Sequence, residues 1–246
     1  MRILIVDDEP LARALLREHL GALPAAEVVG EAANGFEAVR LTEELAPDLL
    51  LLDVQMPRLS GLEVAELLGD RSPAVVFVTA HDQYAVQAFA VQAIDYLLKP
   101  VDPSRLAQSL ERAAARRAKP REPQDMTALA AAARPPGRSL ERVLIREETQ
   151  IHVLPVHTLD YIEAQDDYLE FVAGAKRYRK QQTMAQLEAQ LNPTQFVRVH
   201  RSFIVNVERI TRVEPYAKDS WRILLGGGAH VPLSRTGYAR LKKLLA

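Results

Sequence analysis

Five residues in the first half of the chain carry chemistry, and each stands at the end of an apolar run. Asp7 and Asp8 follow RILIV (2–6), and Asp53 closes DLLLLD (48–53). Thr79 closes AVVFVT (74–79), and Lys99 follows AIDYLL (93–98) and precedes Pro100. Carboxylates crowded together repel and raise each other's pKa. A hard divalent cation relieves that cost. Mg²⁺ suits the site because it accepts one or two carboxylates with waters and phosphate oxygens. A carboxylate is also a nucleophile toward phosphorus. Asp53, on the most apolar run, is the candidate for that role. Lys99 would pair with a phosphate oxygen, and Thr79 would donate a hydroxyl hydrogen bond.

The elements that must position these residues alternate. RILIV, EVVGEA (27–32), DLLLLD, AVVFVT and AIDYLL read as strands buried on both faces. Between them lie stretches with helical spacing. Leu11, Leu15, Leu16 and Leu20 form one stripe; Val39, Thr42 and Leu45 mark a second stretch, and Leu62, Ala65, Glu66 and Leu67 a third. Five strand–helix repeats imply a parallel sheet covered by helices, with right-handed crossovers. In open sheets of this kind ligands bind at the carboxyl edge of the strands. Asp53 can therefore be wet where its leucine neighbours are dry.

Composition sets the outer bounds. The 246 residues, 48% hydrophobic, hold enough apolar material for two cores. The absence of cysteine excludes disulfides and thiolate metal sites. The start, MRILIVDDEP, runs into acid too soon for a signal peptide. No apolar run approaches the roughly 18–20 residues that span a bilayer. A soluble, cytoplasmic protein without a membrane partner is expected. The net charge of −1 hides a division: residues 1–117 carry 11 Lys and Arg against 18 Asp and Glu, and residues 118–246 carry 20 against 14. A basic half suits a polyanionic partner.

Residues 118–139, with prolines at 120, 123, 135 and 136, read as a linker. Beyond them the period changes. RVLIR (142–146), TQIHVLPV (149–156), LDYIEAQ (159–165), YLEFVAG (168–174), KRYRKQQT (176–183), FIVNVERITRVEPY (203–216), WRILLGG (221–227) and HVPLS (230–234) read as short antiparallel strands. Helices are expected over 183–191 and 235–246. GGG (226–228) reads as a hairpin turn, since no strand–turn–helix unit surrounds it.

ILIVDDEP, LLLLDVQMPRLSG, VVFVTAHDQYAVQAF and AIDYLLKPVD together resemble the receiver domain of two-component response regulators over residues 1–118. The resemblance implies a doubly wound α/β fold with five parallel strands in the order 2-1-3-4-5. It implies phosphoryl transfer to Asp53 from a sensor histidine kinase. Mg²⁺ would be held by Asp8, Asp53 and the backbone carbonyl of Gln55, with Asp7 acting through water. Thr79 and Tyr96 would form the switch pair, Lys99 would contact the phosphate, and a cis peptide would precede Pro100. Arg58 and Leu59 fall where the family's loop varies.

FVRVHRSFIVNVERI (196–210), HVPLSRTGYARLKKLL (230–245) and LDYIEAQDDYLEFV (159–172) resemble the LytTR-type DNA-binding domain over residues 139–246, after a linker at 119–138. That implies a mainly antiparallel β reader of promoter DNA that binds paired repeats as a homodimer. Arg201 and Arg235 match its DNA-facing loops, where arginine can pair with guanine in the major groove. Tyr168 lies on a third such loop, beside Asp166 and Asp167. His200 joins this set, with ordering of a turn as its plainer role, and Lys218 would reach a phosphate. The implied protein is a transcription regulator and not an enzyme. Two other readings stand beside it: a receiver joined to a protein- or RNA-binding module, and a phosphatase-like enzyme with Asp7 as nucleophile.

Overall fold

The computed structural model describes residues 1–69, 72–80, 93–117, 139–147, 150–217 and 220–245. The chain divides into two compact units, Met1–Pro135 and Pro136–Ala246. The expected linker at 119–138 lies outside the described residues.

The first unit follows the expected alternation: β1 (Arg2–Val6), α1 (Pro10–Gly21), β2 (Glu27–Ala32), α2 (Gly35–Leu45), β3 (Leu49–Leu52), α3 (Gly61–Leu68), β4 (Ala74–Thr79), β5 (Asp95–Leu98) and α4 (Pro103–Arg117). The five strands form one parallel sheet in the order β2-β1-β3-β4-β5. All four leucines of β3 are fully buried, as a central strand covered on both faces requires. Each such side chain contributes about 1.5–3 kcal/mol. Ile3, Ile5, Leu49, Leu51, Val76 and Val78 share a core with Leu16, Leu20 and Leu106.

Local chemistry fixes the helix starts. Pro10 opens α1, where its missing N–H costs nothing. The Asn34 side chain caps α2 through the Glu37 amide, and Ser60 and Glu63 form a reciprocal capping box at α3. The leucine stripe expected on α1 is only half right. Leu16 and Leu20 are buried, but Leu11 is 85% and Leu15 38% exposed. Leu11 and Leu15 form one i,i+4 row and Leu16 and Leu20 the next, about 100° away, and only the second row faces the sheet. On α3 the buried face is Val64, Ala65 and Leu68, with Leu62 and Leu67 half-buried.

Two glycines admit close packing around the third strand. A Cβ on Gly61 would overlap the carbonyl oxygen of Asp53. One on Gly35 would lie 2.7 Å from the Leu59 carbonyl oxygen. Leu59 is fully buried and follows the exposed Arg58, whose φ is 68°, so this loop sends one residue into the core. Gly61→Ala should lower stability by about 1–3 kcal/mol through overpacking. Gly21→Ala, where nothing lies within 4 Å, should not. Urea unfolding of the two variants checks this contrast, and equal midpoints would refute it.

The second unit contains β6 (Arg142–Glu147), β7 (Gln150–Pro155), β8 (Tyr161–Gln165), β9 (Tyr168–Ala173), β10 (Lys176–Lys180), α5 (Met184–Glu188), β11 (Phe196–His200), β12 (Phe203–Asn206), β13 (Ile210–Ala217), β14 (Ser220–Leu225), β15 (His230–Leu233) and α6 (Arg235–Leu245). β6 and β7 pair with each other, and the rest form sheets in the orders β10-β9-β8-β12-β11 and β13-β14-β15. All these pairs are antiparallel. The three glycines at 226–228 form the turn between β14 and β15.

Three expectations change here. The single run 203–216 is broken by a short 3₁₀ turn at Val207–Arg209. Asn206 causes the break: fully buried, it donates to the Leu159 carbonyl (2.9 Å) and accepts the Glu208 amide (3.1 Å). Residues 196–200 are a strand of their own, and α5 ends at Glu188, three residues before Leu191.

Candidate functional site

The parallel register carries the chemical residues to one edge. The Asp53 amide donates to the Val6 carbonyl (2.8 Å), which sets Asp53 beside Asp7, and the Lys99 amide donates to the Thr79 carbonyl (2.9 Å). Carboxylate oxygens of Asp7, Asp8 and Asp53 lie within 4.8 Å of one another. Lys99 Nζ sits 2.8 Å from Asp7 Oδ2 and 3.0 Å from Asp53 Oδ2. The Glu9 amide donates to Asp7 Oδ1 (3.0 Å) and the Gln55 amide to Asp53 Oδ1 (3.2 Å). The Lys99–Pro100 peptide is cis.

Thr79 is fully buried at the end of β4, and its hydroxyl has no hydrogen-bond partner among the described residues. Asp7 Oδ2 is buried too and faces the Lys99 ammonium at 2.8 Å. Hard, anionic oxygens converging at this spacing fit Mg²⁺. Tyr96 is half-buried on the edge strand β5, opposite Phe77 and two residues back from Thr79 along the pairing.

Electrostatics follow from this packing. Burial pushes the Asp7 carboxyl up from its ordinary value of 3.8, more strongly than Lys99 and the Glu9 amide pull it down. Burial alone would lower Lys99, but its hydrogen bonds to Asp7 and Asp53, with their charges, raise it. Lys99 therefore stays charged throughout the neutral range. A raised carboxyl pKa in the fold means that stability is present at low pH and lost as pH rises through the folded value. Asp7→Asn carries no such charge. With chelator present it should be more stable than the native chain at pH 7, with the gap closing toward pH 4. Urea midpoints across that range measure this, and an unchanging gap would contradict it.

Three neighbours were not singled out from sequence. Glu9 Oε2 stands 3.7 Å from Lys99 Nζ. Arg13 donates to the Asp7 carbonyl (2.7 Å) and pairs with Glu31 (3.2 Å), tying α1 and β2 to the acidic loop. Gly61 permits the approach of α3 to Asp53. The signal for Glu9 and Arg13 was present: Glu9 adjoins Asp8, and Arg13 follows it by five residues.

In the second unit, the DNA-facing candidates gather at one end. The Ala164 amide donates to the Ser202 carbonyl (2.9 Å), so the β8–β9 turn at Asp166–Asp167 lies beside the β11–β12 turn at Arg201–Ser202. Tyr168 opens β9, with the Arg179 guanidinium 4.8 Å over its ring. His200 Nδ1 accepts the Ser202 amide (3.3 Å), a turn-ordering bond, and burial followed by the charge of Arg201 lowers its pKa. Arg201 and Arg235 are exposed. His200 and Arg235 line one groove of about 620 Å³ with Tyr216, Trp221, Arg222 and Ser234. Lys218 lies outside the described residues.

Comparison with known proteins agrees with both halves. Residues 3–111 match the response regulator receiver domain, and residues 149–246 match the LytTr DNA-binding domain. The sensory transduction protein LytT of Bacillus cereus is 34% identical over 247 residues, covering 100% of this chain and 99% of that protein. The transcriptional regulatory protein BtsR of Salmonella typhi is 34% identical over 249 residues, with the same coverage. Among solved structures, the response regulatory domain of mrkE from Klebsiella pneumoniae is 31% identical, covers 47% of this chain and 97% of its own, and has a TM-score of 0.44. The chain belongs to the two-component response regulators that join a receiver domain to a LytTR DNA-binding domain.

Proposed function

We propose that this protein is a phosphorylation-dependent transcription regulator whose receiver (1–118) controls a DNA-binding domain (139–246) through a linker (119–138). A sensor histidine kinase donates the phosphoryl group. An Asp53 carboxylate oxygen attacks phosphorus, the phosphorus–nitrogen bond of the phosphohistidine breaks, and an aspartyl-phosphate forms. The observation that carries this reading is the convergence of three carboxylates, the Lys99 ammonium and the buried Thr79 hydroxyl at one sheet edge.

Asp8, Asp53 and the Gln55 carbonyl would hold Mg²⁺ directly and Asp7 through water. When bound, the ion supplies the positive charge that offsets the phosphoryl oxygens. Lys99 pairs with one phosphoryl oxygen, and Thr79 donates to another. Phosphorylation adds about −1.5 to −2 charges and strong acceptors at Asp53. Thr79 moves toward them, and Tyr96 turns inward to fill the space it leaves. This changes the face built from α4 and residues 82–92, the latter outside the described residues, and favours a homodimer.

Two linked DNA-binding domains then hold paired repeats together, which raises affinity by about 10²–10⁴-fold when both engage. Arg201 and Arg235 read bases, Tyr168 and His200 line the same edge, and Lys218 reaches a phosphate. No helix among the described residues is long and apolar enough to cross a membrane. We place the protein in the cytoplasm, where kinase and promoter meet. Light scattering on the native chain and on Asp53→Ala, with and without acetyl phosphate and Mg²⁺, tests the switch. A donor-dependent dimer only in the native chain is expected; identical dimer fractions in all four samples would end the dimer reading.

A further inference from the structure

Val199 occupies an irregular place in its strand. β11 pairs with β12 residue by residue through Arg198↔Ile204, then skips to His200↔Phe203. Val199 is the extra residue, and its side chain is fully buried. Bulges of this kind bend a strand and re-aim the residues beyond them. Here those residues are His200 and the exposed Arg201. β11 is an edge strand, so the Val199 carbonyl needs a partner from elsewhere.

Ser234 supplies it. Its amide and its hydroxyl each donate to the Val199 carbonyl at 2.9 Å. The same hydroxyl oxygen accepts the Gly237 amide at 3.0 Å, which caps α6. Gly237 completes the joint, because a Cβ there would overlap the Val199 carbonyl oxygen. One serine thus ties the bulge before Arg201 to the residue before Arg235. The two arginines come from turns more than thirty residues apart in sequence, and this joint lies beside both.

We propose that Ser234 is a positioning residue for DNA recognition, whose hydroxyl locks the first turn of the last helix to the bulged Val199 carbonyl so that Arg201 and Arg235 meet the duplex as one rigid unit. This rests on the reading that both arginines face DNA. Base readout requires side chains to be held to within about 0.5 Å of their productive geometry. Phosphate contacts tolerate far more. Loosening the joint therefore erodes discrimination and spares the charge-driven part of binding.

The test uses the full chain, a duplex recovered with it from a random-sequence pool, and a scrambled duplex of equal length. Ser234→Gly keeps a tolerated cap residue but removes the hydroxyl. It should lower the ratio of selected to scrambled affinity at least tenfold, with an unchanged salt slope and an unchanged circular dichroism spectrum. Ser234→Thr, which restores the hydroxyl, should return the ratio to within about twofold of native, given equivalent capping. If Ser234→Gly does not fold, Ser234→Asp takes its place: it caps well but has no proton to share with Val199. The losses from Arg201→Ala and Arg235→Ala should be non-additive in the native chain and additive once the hydroxyl is gone. Native discrimination in Ser234→Gly, with both arginine variants still impaired, would overturn the proposal alone. If neither arginine variant loses discrimination, the DNA-facing reading of those residues falls and takes the proposal with it.

Discussion

The Asp53→Asn chain should bind its duplex with the same affinity whether or not a phosphoryl donor is present, while the native chain tightens. Asparagine has nearly the shape of aspartate and leaves the packing against Val6 and Gly61 undisturbed. It lacks the anionic oxygen that attacks phosphorus, so no aspartyl-phosphate forms. The substitution also removes the carboxylate that Lys99 approaches at 3.0 Å, leaving Lys99 paired with Asp7 at 2.8 Å. Fold and basal binding should therefore survive. The native response should reach about 10²–10⁴-fold if phosphorylation assembles two DNA-binding domains on one site. Fluorescence anisotropy with acetyl phosphate and Mg²⁺ reads both chains in one titration. An Asp53→Asn chain that tightens as the native one does would show that the signal enters elsewhere.

Arg235→Ala carries the second large effect. Arg235 opens α6 beside the Ser234 cap, and its side chain is exposed at the rim of the groove that His200 lines. A bidentate pair with guanine is worth about 1–3 kcal/mol of discrimination against the wrong base. Arg235→Ala should lose that amount on the selected duplex and relax the preference at one base position. Arg201→Ala should do the same at another. A lost phosphate contact behaves differently: affinity falls on all sequences alike, and the salt slope drops by about 0.9. Competition binding over a panel of single-base changes, at two salt concentrations, separates the outcomes. Uniform weakening across the panel would make the arginine a backbone contact.

Much of the receiver was legible because its signals are local. A run such as LLLL, short and repeated in alternation with helical stretches, reads as a strand buried on both faces, and the polar residue closing each run marks the carboxyl edge. Asp7, Asp8, Asp53, Thr79 and Lys99 could be placed from these signals alone. The misreadings came where a neighbour decides the outcome. Leu11 fits the apolar period of its helix as well as Leu16 does, yet the sheet reaches only one of the two rows. Leu59 lies in a loop, and only its packing on Gly35 shows it to be core.

The second half was harder because antiparallel strands are delimited by long-range partners. FIVNVERITRVEPY is uniformly strand-like in composition. It breaks at Asn206 because the Leu159 carbonyl, 47 positions away, takes its side-chain amide. The Val199 bulge left no mark in sequence either, since it shows only when β11 is laid against β12. Arg201 and Arg235 were found by residue type and by resemblance; the joint between them could be seen only in three dimensions.

The most direct measurement is to find which carboxylate carries phosphorus. The native chain is phosphorylated with acetyl phosphate and Mg²⁺, reduced with borohydride to convert any aspartyl-phosphate to homoserine, and read by peptide mass spectrometry. The account requires homoserine at position 53, with Asp7 and Asp8 unaltered. Homoserine at position 7 would contradict it and point instead to a phosphatase-like enzyme that uses Asp7 as its nucleophile.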